Sequence, residues 1–267
     1  MYQEYFGLKE NPFSVTSDPS YLFMSRVHKE AFSSLLYGIK EKKGFLTMTG
    51  EIGAGKTTLC KALLNGLDKS AKSAFIFNST LPELQLLRGI VEDFGLPVKR
   101  KSKYSMIRQL NSFLIEELTK GNDVVLIIDE AQNLKPKTLE EIRLLSNLET
   151  EKEKLFQIIL VGQVELEDKL NTPELRQLKQ RVAVKFHITP LAIDEVEQYI
   201  YHRMKIAGAN GNTKFTADAI EMIHKFSSGV PRLINDKTLL VAYVLESRKI
   251  TRPMVERSIR EIEGLAS

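Results

Sequence analysis

A glycine-rich loop between a predicted strand and a predicted helix constrains this chain more than any other feature. The stretch covers residues 44–63 and reads GFLTMTGEIGAGKTTLCKAL. Phe45, Leu46 and Met48 form a short apolar run that is typical of a buried strand, and Leu59, Ala62 and Leu63 follow at helical spacing. The order strand, glycine loop, helix places a flexible backbone segment at a helix N-terminus.

The loop residues suit a polyphosphate ligand. Glycine lets several backbone N–H groups converge on an anion, and the helix N-terminus adds unpaired amides and the positive end of its dipole. We expect Lys56 to reach the β- and γ-phosphates of ATP, Thr57 to ligate Mg²⁺ and Thr58 to contact the α-phosphate. The predicted ATP-binding residues are Gly50, Glu51, Ile52, Gly53, Ala54, Gly55, Lys56, Thr57 and Thr58. The alternative is a glycine turn with a chance GKT sequence, which the flanking strand and helix disfavour.

A second apolar run ends in two acidic residues. Residues 124–128 are all aliphatic, which is typical of a strand buried on both faces in a parallel sheet. Asp129 and Glu130 follow at its carboxyl end, where open α/β sheets bind ligands. We expect Asp129 to hold Mg²⁺ or its waters, and Glu130 to polarise the attacking water as a general base. The alternative is a solvated turn.

Two amides follow other predicted strands at the same edge. Gln163 comes after the apolar run 156–161 and is expected to hydrogen-bond the γ-phosphate or to position the water. The alternative is that its side-chain amide only hydrogen-bonds to nearby protein groups at the strand end. Asn78 ends the run 73–78, and an ordinary turn asparagine is favoured there over a nucleotide contact.

The alternation of strand and helix patterns predicts the fold. Runs with strand character begin at residues 45, 73, 124, 156 and 182 and are separated by helical patterns. This predicts an α/β three-layer core with a parallel five-stranded sheet. The strand patterns stop after Pro190, and residues 194–207, 216–226, 231–245 and 252–262 read as helices. We therefore expect a nucleotide-binding domain over 1–190 and a helical lid domain over 191–267.

The composition is that of an ordinary globular protein. Of the 267 residues, 43% are hydrophobic and 27% are charged, and the net charge of +4 permits anionic partners without requiring them. The one cysteine, Cys60, excludes an intrachain disulfide and suits a reducing compartment. No apolar run approaches the ~18 residues of a membrane span, and the N-terminus lacks a signal-peptide pattern. We expect a cytoplasmic protein.

Three further segments carry open alternatives. Residues 1–25 are rich in aromatic and turn residues and are expected to lie over the core without regular elements; Phe13 either packs there or contacts adenine. Arg232 falls in the first turn of a predicted helix, where its charge opposes the helix dipole, which suggests a task for it. The basic run Lys99, Arg100, Lys101 and Lys103 is typical of a solvated loop, with a nucleic-acid or lipid contact as the alternative.

Taken in order, these motifs resemble those of the AAA+ ATPases. More narrowly, the chain is similar to the cytoplasmic ATPase region of the general secretion pathway protein A family, over essentially its whole length. The resemblance rests on YFGL and NPF at 5–8 and 11–13, the loop at 50–60, IDEAQNL at 128–134, LLSNLET at 144–150, Gly162-Gln163, PELRQL at 173–178 and PRLIN at 231–235.

The resemblance implies roles for particular residues. Lys56 and Thr57 are similar to Walker A residues, and Asp129 and Glu130 to Walker B residues. Gln163 stands at the sensor 1 place, although asparagine or threonine is more usual there, and Arg232 stands at sensor 2 as a nucleotide contact. Arg181 resembles an arginine finger supplied in trans, with Arg176 as the reserve candidate. A finger in trans implies a homo-oligomer, and a ring is expected.

The resemblance also implies a process. We expect ATP hydrolysis with Mg²⁺ to drive oligomerisation and the assembly of a bacterial envelope or secretion complex, with the type II secretion secretin as one such target. Family members of this type continue into a transmembrane helix and a periplasmic domain, so an inner-membrane location through partners or a further region is consistent with the resemblance. A DNA-binding adaptor of the transposition-helper kind and a regulator that binds ATP without turnover are the alternatives.

Overall fold

The computed structural model describes residues 1–77, 81–98, 102–150, 153–234 and 236–264. The chain divides into two compact units. The first, called here the helical unit, comprises Met1–Arg26, Glu51–Thr58 and Thr189–Ser267. The second, the sheet unit, comprises Val27–Gly50 and Leu59–Ile188.

The sheet unit is built on five parallel strands in the order β2-β3-β4-β1-β5. The strands are β1 (Phe45–Gly50), β2 (Lys72–Ile76), β3 (Val124–Ile128), β4 (Gln157–Gly162) and β5 (Val182–Ile188). Every residue of β1, β3 and β4 is buried, as expected for the central strands of a sheet covered on both faces. The predicted parallel five-stranded α/β fold is confirmed.

Helices cover both faces of this sheet. Gly38 packs so closely on Leu46 of β1 that a Cβ at Gly38 would lie 2.2 Å from its Cδ2 atom. The neighbouring residue Phe45 points to the opposite face and belongs to the main apolar core. The helices are α2 (Arg26–Lys40), α3 (Lys56–Asn65), α4 (Glu83–Asp93), α5 (Lys103–Thr119), α6 (Pro136–Leu145), α7 (Val164–Leu170) and α8 (Arg176–Arg181), after α1 (Tyr2–Phe6) in the other unit.

The helical unit has its own apolar core. Its helices are α1, α9 (Ile193–Ile206), α10 (Ala217–Ser227), α11 (Lys237–Val244) and α12 (Arg252–Ile262), with a two-stranded pair of β6 (Lys214–Phe215) and β7 (Lys249–Ile250). Phe6, Phe13 and Tyr21 from the N-terminal segment are buried in the same cluster as Val196 and Ile220. Among the described residues, no helix combines the length and the apolar character needed to cross a lipid bilayer.

Several local expectations differ from the structure. The N-terminal segment forms a regular helix, α1, and packs with the C-terminal helices. The predicted helix 231–245 is divided into a 3₁₀ turn at Pro231–Leu233 and α11, and β6 and β7 interrupt the predicted all-helical pattern. The predicted domain division at Pro190 stays a prediction.

Candidate nucleotide site

The glycine loop continues directly from the end of β1. Gly50 pairs with Ile188 of β5, and a Cβ at this position would lie 2.6 Å from the Ile188 carbonyl oxygen. Gly53 and Gly55 have φ angles of 80° and 90°, in the left-handed region that favours glycine. The turn therefore needs glycine for two separate reasons, a close backbone approach at the strand end and positive φ within the loop.

Lys56 begins α3 and folds back over the loop. Its side chain is 5% exposed, and its Nζ atom donates a hydrogen bond of 2.8 Å to the Glu51 carbonyl oxygen. Thr57 and Thr58 follow in the first turn of α3, at the helix end whose amides are unpaired within the helix. Among the remaining predicted loop residues, Ala54 is buried and Ile52 is exposed.

Arg232 lies against this loop. It belongs to the 3₁₀ turn Pro231–Leu233, and a Cβ built on Gly53 would lie 2.4 Å from the Cβ and 3.1 Å from the Cδ of Arg232. The turn is shaped by Gly229, whose φ is 74° and whose built Cβ would lie 2.1 Å from the Leu191 carbonyl oxygen. The structure thus brings the predicted loop glycine and the predicted arginine together, through a turn and not through the predicted helix start.

The acidic pair follows β3 directly. Asp129 is 3% exposed, its backbone N–H donates to the Ile76 carbonyl at 2.9 Å, and its Oδ1 atom accepts from the Glu130 N–H at 2.9 Å. Glu130 has a φ of 52°, which is uncommon for a residue with a side chain and is concentrated at functional sites. The chain therefore turns sharply at the point where the two carboxylates are presented.

A network of amides surrounds Glu130. Its Oε2 atom accepts hydrogen bonds from Gln132 Nε2 at 2.6 Å and from Gln163 Nε2 at 3.2 Å, and Gln132 Oε1 accepts from the Gln163 N–H at 3.2 Å. Gln163 was predicted from the sequence as a site residue, whereas Gln132 was not. The available signal was its place in IDEAQNL, two residues after the acidic pair, where a turn returns a long polar side chain to the strand end.

Sheet order places the strand ends of these elements side by side. β1 pairs with β4, and β4 pairs with β3, all parallel, so Gly50, Gly162 and Ile128 end at the same edge of the sheet. The loop, Gln163 and Asp129-Glu130 each leave the sheet at this carboxyl edge. It is the edge at which open α/β sheets bind ligands.

Arg181 lies at the amino ends of the strands, opposite the carboxyl edge of the sheet. It is the last residue of α8 and precedes Val182, which pairs with Phe45 at the amino end of β1. A six-residue strand such as β1 spans about 20 Å, so the backbone of Arg181 is separated by that length from the carboxyl edge. Its Nη1 atom donates to Ser146 Oγ at 3.0 Å, whereas the reserve candidate Arg176 is exposed at the start of α8.

The surroundings of Arg181 are positively charged. Burial lowers the pKa of the Lys154 ammonium group, and the nearby Arg181 guanidinium lowers this pKa further. Lys154 also forms an ion pair with Glu149. Arg181 therefore lies in a partly compensated basic corner at the amino edge of the sheet.

Asn78 and most of the basic run fall in gaps between the described residues. Asn78, Lys99, Arg100 and Lys101 lie outside the described residues. Lys103, the last member of the basic run, is bound through its Nζ atom to Glu83 and Glu141 at 2.5 Å each. That residue is engaged in ion pairs within the sheet unit.

Comparison with known proteins identifies the family. An AAA domain model matches residues 39–170, which include the loop, the acidic pair and Gln163. General secretion pathway protein A of Aeromonas hydrophila is 40% identical over 269 residues, covering 99% of this chain and 49% of that relative. The chain carries an AAA domain and is a homologue of general secretion pathway protein A. It spans about half the length of this relative.

Solved structures agree with the AAA fold. The ORC2 protein of Aeropyrum pernix, determined as ADPNP-ADP complexes, is 17% identical with a TM-score of 0.68, covering 96% of this chain and 73% of its own. Cdc6p of Pyrobaculum aerophilum is 18% identical with a TM-score of 0.68, and the match covers 91% of this chain and 70% of the Cdc6p chain. At such identities the likeness shows the fold alone, and it confirms the predicted AAA-type α/β architecture.

Proposed function

We propose that this AAA protein binds ATP with Mg²⁺ and hydrolyses it by in-line attack of water. The observation that carries the proposal is the common carboxyl edge of β1, β4 and β3, from which the glycine loop, Gln163 and Asp129-Glu130 all emerge. The residue types match the needs of phosphoryl transfer, which are positioning and charge stabilisation.

The loop and the first turn of α3 would hold the triphosphate. Backbone amides from Gly50 to Thr58 would surround the phosphate oxygens, and Lys56 would exchange its bond to the Glu51 carbonyl for phosphate oxygens. Thr57 and Asp129 offer hard oxygen ligands of the kind that Mg²⁺ prefers. When bound, Mg²⁺ neutralises charge on the phosphates.

Glu130 is the proposed general base. Its carboxylate stands at the strand end beside Asp129, and two amides orient it. Gln163 donates a hydrogen bond to Glu130. We expect its side-chain amide also to position the water or to hydrogen-bond the γ-phosphate. Arg232, seated on Gly53, would place its guanidinium close to phosphates held by the loop.

The position of Arg181 supports assembly. Since its backbone is about a strand length from the carboxyl edge of its own sheet, this arginine would serve a nucleotide only on another copy of the chain. We therefore propose a homo-oligomer, with a ring as its simplest closed form, in which Arg181 acts in trans and Arg176 is the reserve. Nucleotide state would then alter contacts between copies, with residues 191–267 as the lid and a hinge near Pro190.

The homologue suggests the cellular process. Its name places it in a general secretion pathway, and we propose that this chain couples ATP turnover to assembly of an envelope or secretion complex, of which a secretin is one candidate. The cytoplasm is the proposed location, with attachment to the inner membrane through partners or a further region. Against the DNA-binding alternative, Lys103, the one member of the basic run among the described residues, is engaged with Glu83 and Glu141.

Equilibrium binding and phosphate release measured on Lys56→Ala test the proposed function. Binding of ATP with Mg²⁺ should fall steeply and turnover should vanish, because the variant lacks the charge that would face the phosphates. Lys61→Ala, which removes a lysine from the same helix α3, is the matched control and should keep both properties. Normal ATP turnover by Lys56→Ala would overturn the proposed role of the loop.

A further inference from the structure

Gln132 is the centre of a hydrogen-bonded link between two strand ends. Its Nε2 atom donates to Glu130 Oε2 at 2.6 Å, and its Oε1 atom accepts from the backbone N–H of Gln163 at 3.2 Å. The first contact reaches the residue after β3 and Asp129, and the second reaches the residue after β4. Both ends of one amide are thus used, which fixes its orientation.

The side-chain amide of Gln132 packs against the backbone of Gly162. A Cβ built on Gly162 would lie 2.7 Å from Gln132 Oε1 and 2.9 Å from Leu166 Cδ2. Any larger residue at the end of β4 would displace the glutamine side chain. The close approach of both Gln132 and Leu166 therefore explains glycine at position 162, whose φ is not positive.

The segment that carries Gln132 is held from a second side. Lys169 of α7 donates through Nζ to the carbonyl oxygen of Gln132, and also to that of Leu134 at 2.8 Å. The short 3₁₀ helix Ala131–Asn133 is thereby tied to α7. The backbone and the side chain of Gln132 both have fixed partners, so the contact to Glu130 does not depend on a freely rotating surface residue.

We propose that Gln132 is a positioning residue for Glu130. The proposal rests on the proposed ATPase function. An amide that donates to a carboxylate oxygen holds that carboxylate in one rotamer, which would orient it for proton abstraction from water. Gln163 supports the same oxygen at 3.2 Å, but Gln132 makes the shorter bond. In this role Gln132 acts through its hydrogen bond to Glu130.

The steady-state kinetics of Gln132→Leu test this role. Loss of an oriented hydrogen bond to a charged group should lower kcat by about ten- to a hundredfold, with KM for ATP unchanged. Gln109→Leu is the matched control, because Gln109 of α5 donates to the Pro97 carbonyl and should leave kcat at the wild-type value. A Gln132→Leu chain with wild-type kcat would overturn the inference.

Two further measurements separate positioning from general damage. In the Glu130→Gln background, Gln132→Leu should cause no further loss of residual turnover, whereas independent, additive losses would contradict action through Glu130. Gln132→Glu preserves shape but cannot donate and repels Glu130, so a wild-type kcat in this variant would also contradict the inference.

A nucleotide-free readout distinguishes this inference from the proposed function. In the NMR spectrum of the nitrogen-labelled chain, one Gln132 side-chain amide proton should be shifted downfield, and the shift should disappear in Glu130→Ala. A wild-type chain without ATP turnover would overturn the proposed function. Absence of the amide shift in a chain that turns over ATP would overturn the role of Gln132 alone.

Discussion

Gly53 and Arg232 are in such close contact that a single added carbon at residue 53 would lie 2.4 Å from the Arg232 Cβ atom. The arginine stem thus occupies the space that a side chain on the loop would need. The contact joins the glycine loop to the 3₁₀ turn Pro231–Leu233 within the helical unit. It gives a structural reason for glycine at position 53 that does not depend on family resemblance.

Gly53→Ala should therefore damage nucleotide binding by two routes. The φ of 80° is strained for alanine, and the added Cβ would push Arg232 from its place. We expect the affinity for ATP with Mg²⁺ to fall by at least about tenfold, as measured by equilibrium titration.

Gly211→Ala provides the control for backbone strain. Gly211 has the same φ of 80°, but no described heavy atom lies within 4 Å of its built Cβ. This variant should lose about 1 kcal/mol of unfolding free energy and keep ATP affinity. Equal losses of affinity in the two variants would show that displacement of Arg232 is not the cause.

A mixing experiment addresses Arg181. Arg181→Ala and Glu130→Gln should each lower turnover by about a thousandfold or more when assayed alone. If Arg181 acts on a neighbouring copy, mixed assemblies contain interfaces with an intact Arg181 and an intact Glu130, and turnover should partly recover. No recovery in assemblies shown to contain both variants would argue against action in trans. Arg176→Ala, treated in the same way, tests the reserve candidate.

His202 predicts a pH dependence of stability. Its Nε2 atom is buried without a hydrogen-bond partner among the described residues. Burial lowers the pKa of this imidazole, a hydrogen bond with the Leu22 backbone opposes that shift in part, and Arg203 and Lys205 lower the pKa further. The folded chain thus binds fewer protons at His202 than the unfolded chain, whose pKa is about 6.5. The free energy of unfolding should fall as pH decreases below about 6.5.

Thermal unfolding of His202→Leu checks that dependence. The variant has no ionisable group at this position, so its melting temperature should fall less than that of the wild type between about pH 7.5 and pH 5.5. Parallel melting curves for the two chains over this range would exclude His202 as the cause.

The sequence predicted the elements whose signal is local. Uninterrupted apolar runs such as residues 124–128 identify buried parallel strands. The glycine loop can be recognised because its geometry requires glycines at fixed positions before Lys56 and Thr57. The strand order β2-β3-β4-β1-β5 was not predicted, because pairing between distant segments leaves no local pattern.

Features that depend on tertiary contacts escaped prediction. The aromatic residues of the N-terminal segment could not reveal whether they pack on the sheet or with the C-terminal helices, since burial of Phe6 and Phe13 satisfies either arrangement. The turn before α11 was read as helix because Pro231 is compatible with a first helical turn and with a 3₁₀ turn alike. Gln132 was missed because its role appears only when Glu130 and Gln163 are adjacent in space.

Phosphate release and ATP binding measured together on Glu130→Gln test whether this chain hydrolyses ATP with Glu130 as the general base. This variant should bind ATP with Mg²⁺ as tightly as the wild type and release phosphate at least about a thousandfold more slowly, because the loop is intact and the general base is lost. An unchanged rate of phosphate release by Glu130→Gln would rule out Glu130 as the general base.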